Sequence, residues 1–146
     1  MKALHALHER AMDLAQLALL SRQQGDTERA DVLARDACVY ESHAADLLPA
    51  EHAAEPLRSL LYLSAASLAY QCQDFQQARK LAHKGLCGFP ADSTRRDLHD
   101  LEVLASAESE RELLWQHQQF MRATNRRSLE TESYTTEQIR EQLNPL

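Results

Sequence analysis

Two stretches of this chain spell the same packing solution, and that duplication constrains the fold more than any other feature. "GDTERADVLARDACVYE" starts at Gly25 and "QDFQQARKLAHKGLCGFP" at Gln73. Each opens on a turn residue and an Asp. Small residues then follow at Ala30, Ala34 and Ala37 in the first stretch and at Ala78, Ala82 and Gly85 in the second. Spacings of four and three put such a row on one face of an α-helix. Ala or Gly along a helix face lets a second backbone approach closely. The residues upstream supply the second helix: Leu14, Leu17 and Ala18 for the first row, and Tyr62, Ala65, Ala66 and Ala69 for the second. The expectation is two helix–turn–helix hairpins.

Punctuation sets the boundaries. Lys2 to Gln24 reads as a first helix, with Leu4, Leu7, Ala11, Leu14, Ala18 and Ser21 in one stripe. Gly25 suits a left-handed stop, and Asp26 can cap a second helix from Thr27 to about Leu48, before Pro49. Pro56 fits the first turn of a third helix reaching Cys72 or Gln73. Asp74 caps a fourth, which stops near Gly85–Gly88 ahead of Pro90. Ser93 would cap a fifth that reaches the 120s, with Leu101, Leu104, Ala107, Leu114 and Met121 on a shared face. "AESERE" thins that stripe midway. The expected domain is 1–124. A polar tail, 125–146, follows, with a short helix where Thr135 and Gln138 have capping-box spacing.

Composition agrees with an all-α chain. The 146 residues include only three glycines and four prolines, too few to punctuate a sheet-rich fold of this size. Net charge is −6, which removes the global basic footprint expected of a nucleic-acid binder. Arg95–Arg96 and Arg126–Arg127 are local pairs without an aromatic platform. Cys38, Cys72 and Cys87 sit in apolar helical patterns and read as buried reduced thiols, with no CxxC pair among them. His5, His8, Glu9, Arg10 and Asp13 interrupt the leucine-rich N-terminus, so it reads as neither a signal peptide nor a membrane span. A cytoplasmic protein without membrane association is the expectation.

The second stretch and its upstream helix resemble the tetratricopeptide repeat, a hairpin unit of about 34 residues that stacks into α-solenoids. The resemblance rests on Tyr62, Ala65, Ala66 and Ala69, then on Asp74, Phe75, Ala78, Ala82, Gly85, Leu86 and Pro90. The first unit keeps Gly25, Asp26, Ala30, Ala34 and Ala37 but lacks the closing proline. Two departures stand out. Asp26 and Asp74 lie 48 residues apart, and there are two units where about three are usual. The resemblance therefore implies a short α-solenoid of two hairpins, capped by a long C-terminal helix. "EPLRS" at Glu55–Ser59 and "SAASLA" at Ser64–Ala69 are also similar to small stand-alone bacterial repeat-like proteins without an assigned reaction.

Such a resemblance implies binding of another protein or peptide in a concave groove, with no cofactor. By register the groove would use Leu19, Arg22, Gln23, Leu63, Ser67, Tyr70 and Gln71, continued by Arg95 and His99. The competing reading is that these residues only pack against the linker or the tail. Trp115, Phe120 and Met121 mark an oligomer contact on the last helix, through which the chain could form a homodimer. Two other function classes stay open. Arg111 and His117 have the spacing of the paired Arg and His in all-helical HEPN-type ribonucleases, although Glu108, Glu110 and Glu112 crowd that arginine. A structural oligomer subunit is the other. His5 and His8, one turn apart, make at most half a metal site. With three glycines, no phosphate-cradling loop can be built.

Overall fold

A computed structural model describes residues 1–143, with side chains through Leu129 and at Gln138, Arg140, Glu141 and Leu143. Its elements are α1 (Lys2–Gln23), α2 (Thr27–Asp46), one 3-10 turn (His52–Ala54), α3 (Leu57–Gln71), α4 (Phe75–Leu86) and α5 (Asp92–Leu143). The described residues are all-α, with no strand. They divide into two compact units, Met1–Ser109 and a second that begins at Glu110. Helix α5 starts at Asp92, so Ser93 lies inside it rather than capping it. The helix also runs without a break through "AESERE" and past Asn125. Polar composition did not end it, because Glu, Gln and Arg are good helix formers.

In the first unit each helix packs on the next, α1 on α2, α2 on α3 and α3 on α4. The two hairpin turns repeat atom for atom at the 48-residue offset. In the first, the amide of Asp26 donates to the carbonyl of Ser21 at 2.9 Å and that of Gly25 to Arg22 at 3.1 Å. In the second, Asp74 donates to Ala69 at 2.9 Å and Gln73 to Tyr70 at 3.0 Å. This bond pair is the Schellman stop, which satisfies carbonyls left orphaned at a helix end. The residue at its left-handed position is Gly25 (φ 83°) in one turn and Gln73 (φ 63°) in the other. Each Asp then caps the following helix, Asp26 accepting from the amide of Arg29 at 3.1 Å and Asp74 from that of Gln77 at 3.3 Å.

The small-residue rows are buried as their spacing requires. Ala30, Ala34 and Ala37 on α2, and Ala78, Ala82 and Gly85 on α4, all lie inside. Gly85 shows why size matters. A Cβ there would stand 2.9 and 3.0 Å from the two δ carbons of Leu98 and 3.1 Å from Cβ of Tyr62. The stripe Leu4, Ala11, Leu14, Ala18 and Ser21 of α1 is buried. Leu17, expected at the crossing, is exposed, because it lies about 90° around the helix from the centre of that stripe, whereas half-buried Leu7 and Ala15 beside the stripe pack on the core.

On α5 the buried positions are Thr94, Leu98, Ala105 and Ser109, with half-buried Leu101 among them. The expected face of Leu101, Leu104, Ala107, Leu114 and Met121 is therefore corrected: Leu104, Leu114 and Met121 are exposed. Helix α5 carries more than one apolar stripe, and Gly85 opens space for the one through Leu98. That side chain and Leu81 are almost fully buried, each contributing about 2 kcal/mol. Cys38 and Cys72 are buried, whereas Cys87 is exposed, against the expectation of three inner thiols. Burial pushes the Cys38 thiol up to about 12, helped by the nearby Cys72 and Asp74, which suits an inert packing residue.

Two polar clusters pin the core. Glu41 of α2 is wholly buried, and Nδ1 of His8 on α1 reaches its two carboxylate oxygens at 2.9 and 3.1 Å. At the other end, Glu55 accepts from the Ser59 hydroxyl at 2.6 Å, the Ser59 amide at 3.1 Å and the Phe89 amide at 3.2 Å. Burial raises this carboxyl, but those hydrogen bonds and the charge of Arg58 outweigh it and hold Glu55 below the usual range. Buried Arg58 lies 4.8 Å over the ring of Tyr62, whose hydroxyl donates to Asp46 at 2.5 Å. Burial first, then that bond to Asp46, pushes Tyr62 up to about 12. His52 stacks on Phe89 at 3.7 Å between ring centroids, so the linker is tied to the exit of α4.

Candidate functional site

The two repeated turns do more than close hairpins. Beside them the last turns of α1 and α3 and the first residue of α4 border an open groove of about 620 Å3. Its walls are Ala18, Leu19 and Arg22 from α1, Tyr70 and Gln71 from α3, Gln73 from the turn, Phe75 from α4 and Glu108 from α5. Arg22 and Tyr70 occupy corresponding places in the two units, 48 residues apart. One turn presents a cation to the groove and the other an aromatic ring.

Arg22 is held by its own hairpin: its guanidinium donates to Asp31 at 2.9 Å. That contact fixes the side chain and leaves its stem available as an apolar wall. Tyr70 and Phe75 meet edge to face at 5.3 Å between centroids, a pairing favoured by about 0.5–1.5 kcal/mol beyond the area it buries. Gln71 and Gln73 bring amides that both donate and accept. The groove therefore combines an aromatic corner, Leu19, two amides, a cation and the carboxyl group of Glu108. It has the inventory to seat an apolar side chain and to hydrogen-bond the backbone around it.

Of the residues expected at a groove, Leu19, Arg22, Tyr70 and Gln71 come together here. Gln23 is exposed outside the lining. Leu63 is half-buried and packs on the core. The hydroxyl of Ser67 is spent on the carbonyl of Leu63 at 2.8 Å. Arg95 donates to Asp92 at 3.3 Å and to the carbonyl of Pro90 at 3.2 Å, which secures the start of α5. His99 is exposed and lies outside the lining. Sequence reasoning missed Ala18, Gln73, Phe75 and Glu108. Phe75 had a signal: it is the aromatic residue directly after the capping Asp74.

A second concavity of about 550 Å3 is lined by Arg79, Lys80, His83, Lys84, Glu102 and Ser106. Lys84 reaches Asp46 at 3.4 Å and His83 faces Glu102 at 3.8 Å, so half of its basic groups already meet the protein's own carboxylates.

The N-terminal histidines part company. His5 pairs with Glu9 at 3.3 Å on the surface, while His8 turns inward to Glu41. Among the described residues no three His, Cys, Asp or Glu side chains converge as a metal site would require. Arg111 and His117 are both exposed on α5 and, six residues apart, point about 120° from one another around the helix. Trp115, Phe120 and Met121 are exposed as well. No helix among the described residues is long and apolar enough to cross a membrane.

Comparison with protein families, curated proteins and solved structures returned no match.

Proposed function

We propose that this chain is a binding module of tetratricopeptide-repeat type, an adaptor or scaffold that holds a short segment of a partner protein beside its two turns. The observation that carries the reading is the groove itself, in which Leu19, Arg22, Tyr70 and Gln71 line one cavity. Its volume lies within the range of sites that enclose a ligand. An aromatic corner is the kind of anchor on which peptide affinity concentrates. The duplicated Schellman turns and small-residue rows support the repeat-like reading, with α5 standing where a third unit would begin.

The occupant is an extended or helical segment that offers one apolar side chain to Tyr70, Phe75 and Leu19. Its backbone amides pair with Gln71 and Gln73. Cytoplasmic residence and a partner that is a protein rather than a nucleic acid belong to the same reading, given the net charge of −6. Capture of partners from the native host by tagged wild-type protein tests it. A specific partner should be retained by wild type and by Arg35→Glu, a change on an exposed face of α2. Tyr70→Ala and Arg22→Glu should release it. Equal capture by all four proteins would refute the groove as the site.

A further inference from the structure

Helix α4 is basic along its outer face in a chain that is acidic as a whole. Its buried side is Ala78, Leu81, Ala82 and Gly85. Its exposed side carries Arg79, Lys80, His83 and Lys84, and the helix contains no Asp or Glu, although the chain has a net charge of −6. Helix stability does not account for this. The dipole favours an acid in the first turn and cations in the last. The last turn has His83 and Lys84, but the first has no acid, and Arg79 and Lys80 lie between the two. Lys80 and Lys84 are four residues apart, a spacing at which like charges repel on a helix. Gln76, four residues before Lys80, brings no charge to relieve it.

The four basic side chains line the concavity of about 550 Å3 together with Glu102 and Ser106 of α5. Lys84 and His83 have carboxylates nearby, Asp46 at 3.4 Å and Glu102 at 3.8 Å. Among the described residues Arg79 and Lys80 have no ion-pair or hydrogen-bond partner, so two full positive charges border the hollow uncompensated. The Ser106 hydroxyl spends its proton on the carbonyl of Glu102 at 2.8 Å. Its oxygen, like the Glu102 carboxylate, can then only accept.

We propose that this hollow binds a phosphate monoester of a small hydroxylated molecule. A dianion matches the two unspent cations, whereas a single carboxylate leaves one of them unmatched. Arg79 offers a planar fork that takes two phosphate oxygens, and Lys80 a point charge for a third. The acceptors of α5 take protons from hydroxyl groups on the rest of the ligand. A bare polyanion would meet repulsion at Glu102, so the lining selects an ester that is anionic at one end only. The volume is that of a small-molecule site. Its lining shares no residue with the groove beside the turns, and the proposal does not rest on peptide binding there.

Titration of the full chain, followed by the amide resonances in NMR spectra, tests the site. The probes are inorganic phosphate, glycerol phosphate and glycerol, with chloride holding the ionic strength constant. Glycerol phosphate should shift the amides of Arg79, Lys80 and Ser106 to saturation. It should bind about fivefold tighter than inorganic phosphate, the value of one or two added hydrogen bonds, and glycerol should not bind. Arg79→Gln and Lys80→Gln should each weaken glycerol phosphate by about tenfold, and Arg35→Gln, on an exposed face of α2, should leave it unchanged. Glu102→Ala should erase the advantage of the ester while inorganic phosphate binds at least as well as before. Because Lys80 repels Lys84, Lys80→Gln should unfold no more readily than wild type, which separates its loss of binding from loss of fold. Shifts that chloride alone reproduces would overturn the proposal. So would an affinity unchanged in both Arg79→Gln and Lys80→Gln, or inorganic phosphate bound as tightly as the ester. A phosphoserine peptide or phosphatidic acid vesicles bound through Arg79 where glycerol phosphate fails would overturn it as well, by placing the phosphate on a protein or a lipid.

Discussion

Replacing His8 with alanine should destabilise the first unit far more than a half-exposed surface histidine would suggest. The reason is its partner. Glu41 is 0% exposed, and His8 at 2.9 Å supplies its hydrogen bond across the α1–α2 seam. A hydrogen bond to a charged group contributes about 1.5–3 kcal/mol, and stripping the partner from a buried charge costs about 3–5 kcal/mol. The His8 side chain is 40% exposed, so its removal opens a path by which water reaches the carboxylate. The lower figure therefore governs, and His8→Ala should cost about 2 kcal/mol. Urea unfolding followed by far-UV circular dichroism measures it, with a fall of about 5–10 °C in Tm as the thermal counterpart. The cycle is completed by Glu41→Leu and the double variant. If the pair acts as described, the double variant is more stable than the sum of the single losses by about 1–2 kcal/mol. A His8→Ala protein within about 0.5 kcal/mol of wild type, or strictly additive losses, would refute the reasoning.

The two turns give a paired prediction. Gln73 holds a left-handed backbone (φ 63°) where Gly25 does so at φ 83°, so Gln73→Gly should stabilise by about 1 kcal/mol and Gly25→Ala should destabilise by a similar amount. Gly25 has open space around it, so any loss there reports backbone strain alone, read from the denaturation midpoint. The Glu55 network gives a pH dependence. Its folded carboxyl titrates below the unfolded value, so its contribution is present above about pH 4.3 and disappears as pH falls through the folded value. Stability measured from pH 6 downwards should fall less steeply for Glu55→Gln than for wild type.

Local periodicity made much of the first unit legible. The stripe from Leu4 to Ser21, both Asp caps and the small-residue rows depend on neighbours within one or two turns, and all lie where spacing put them. What failed was choice among competing stripes. Helix α5 offers Leu98, Leu101, Leu104, Val103 and Leu114, and only the space above Gly85 selects the face that carries Leu98. Cys87 sits one residue past the end of α4, where the apolar pattern no longer dictates burial. His8 looked like half of a metal site because its true partner, Glu41, is 33 residues away on another helix. The groove was half legible for the same reason. Leu19, Arg22, Tyr70 and Gln71 follow from repeat register, whereas Glu108 joins them from a helix whose placement no local pattern encodes.

The central claim is that the groove beside the turns seats a partner segment on its aromatic corner. Its most direct measurement is the dissociation constant of the captured partner for wild type and for Tyr70→Ala, by isothermal titration calorimetry. Anchors of this kind carry about 2 kcal/mol or more, so Tyr70→Ala should weaken binding by about thirtyfold, while Trp115→Glu leaves it unchanged. Affinity for Tyr70→Ala within about twofold of wild type would contradict the account.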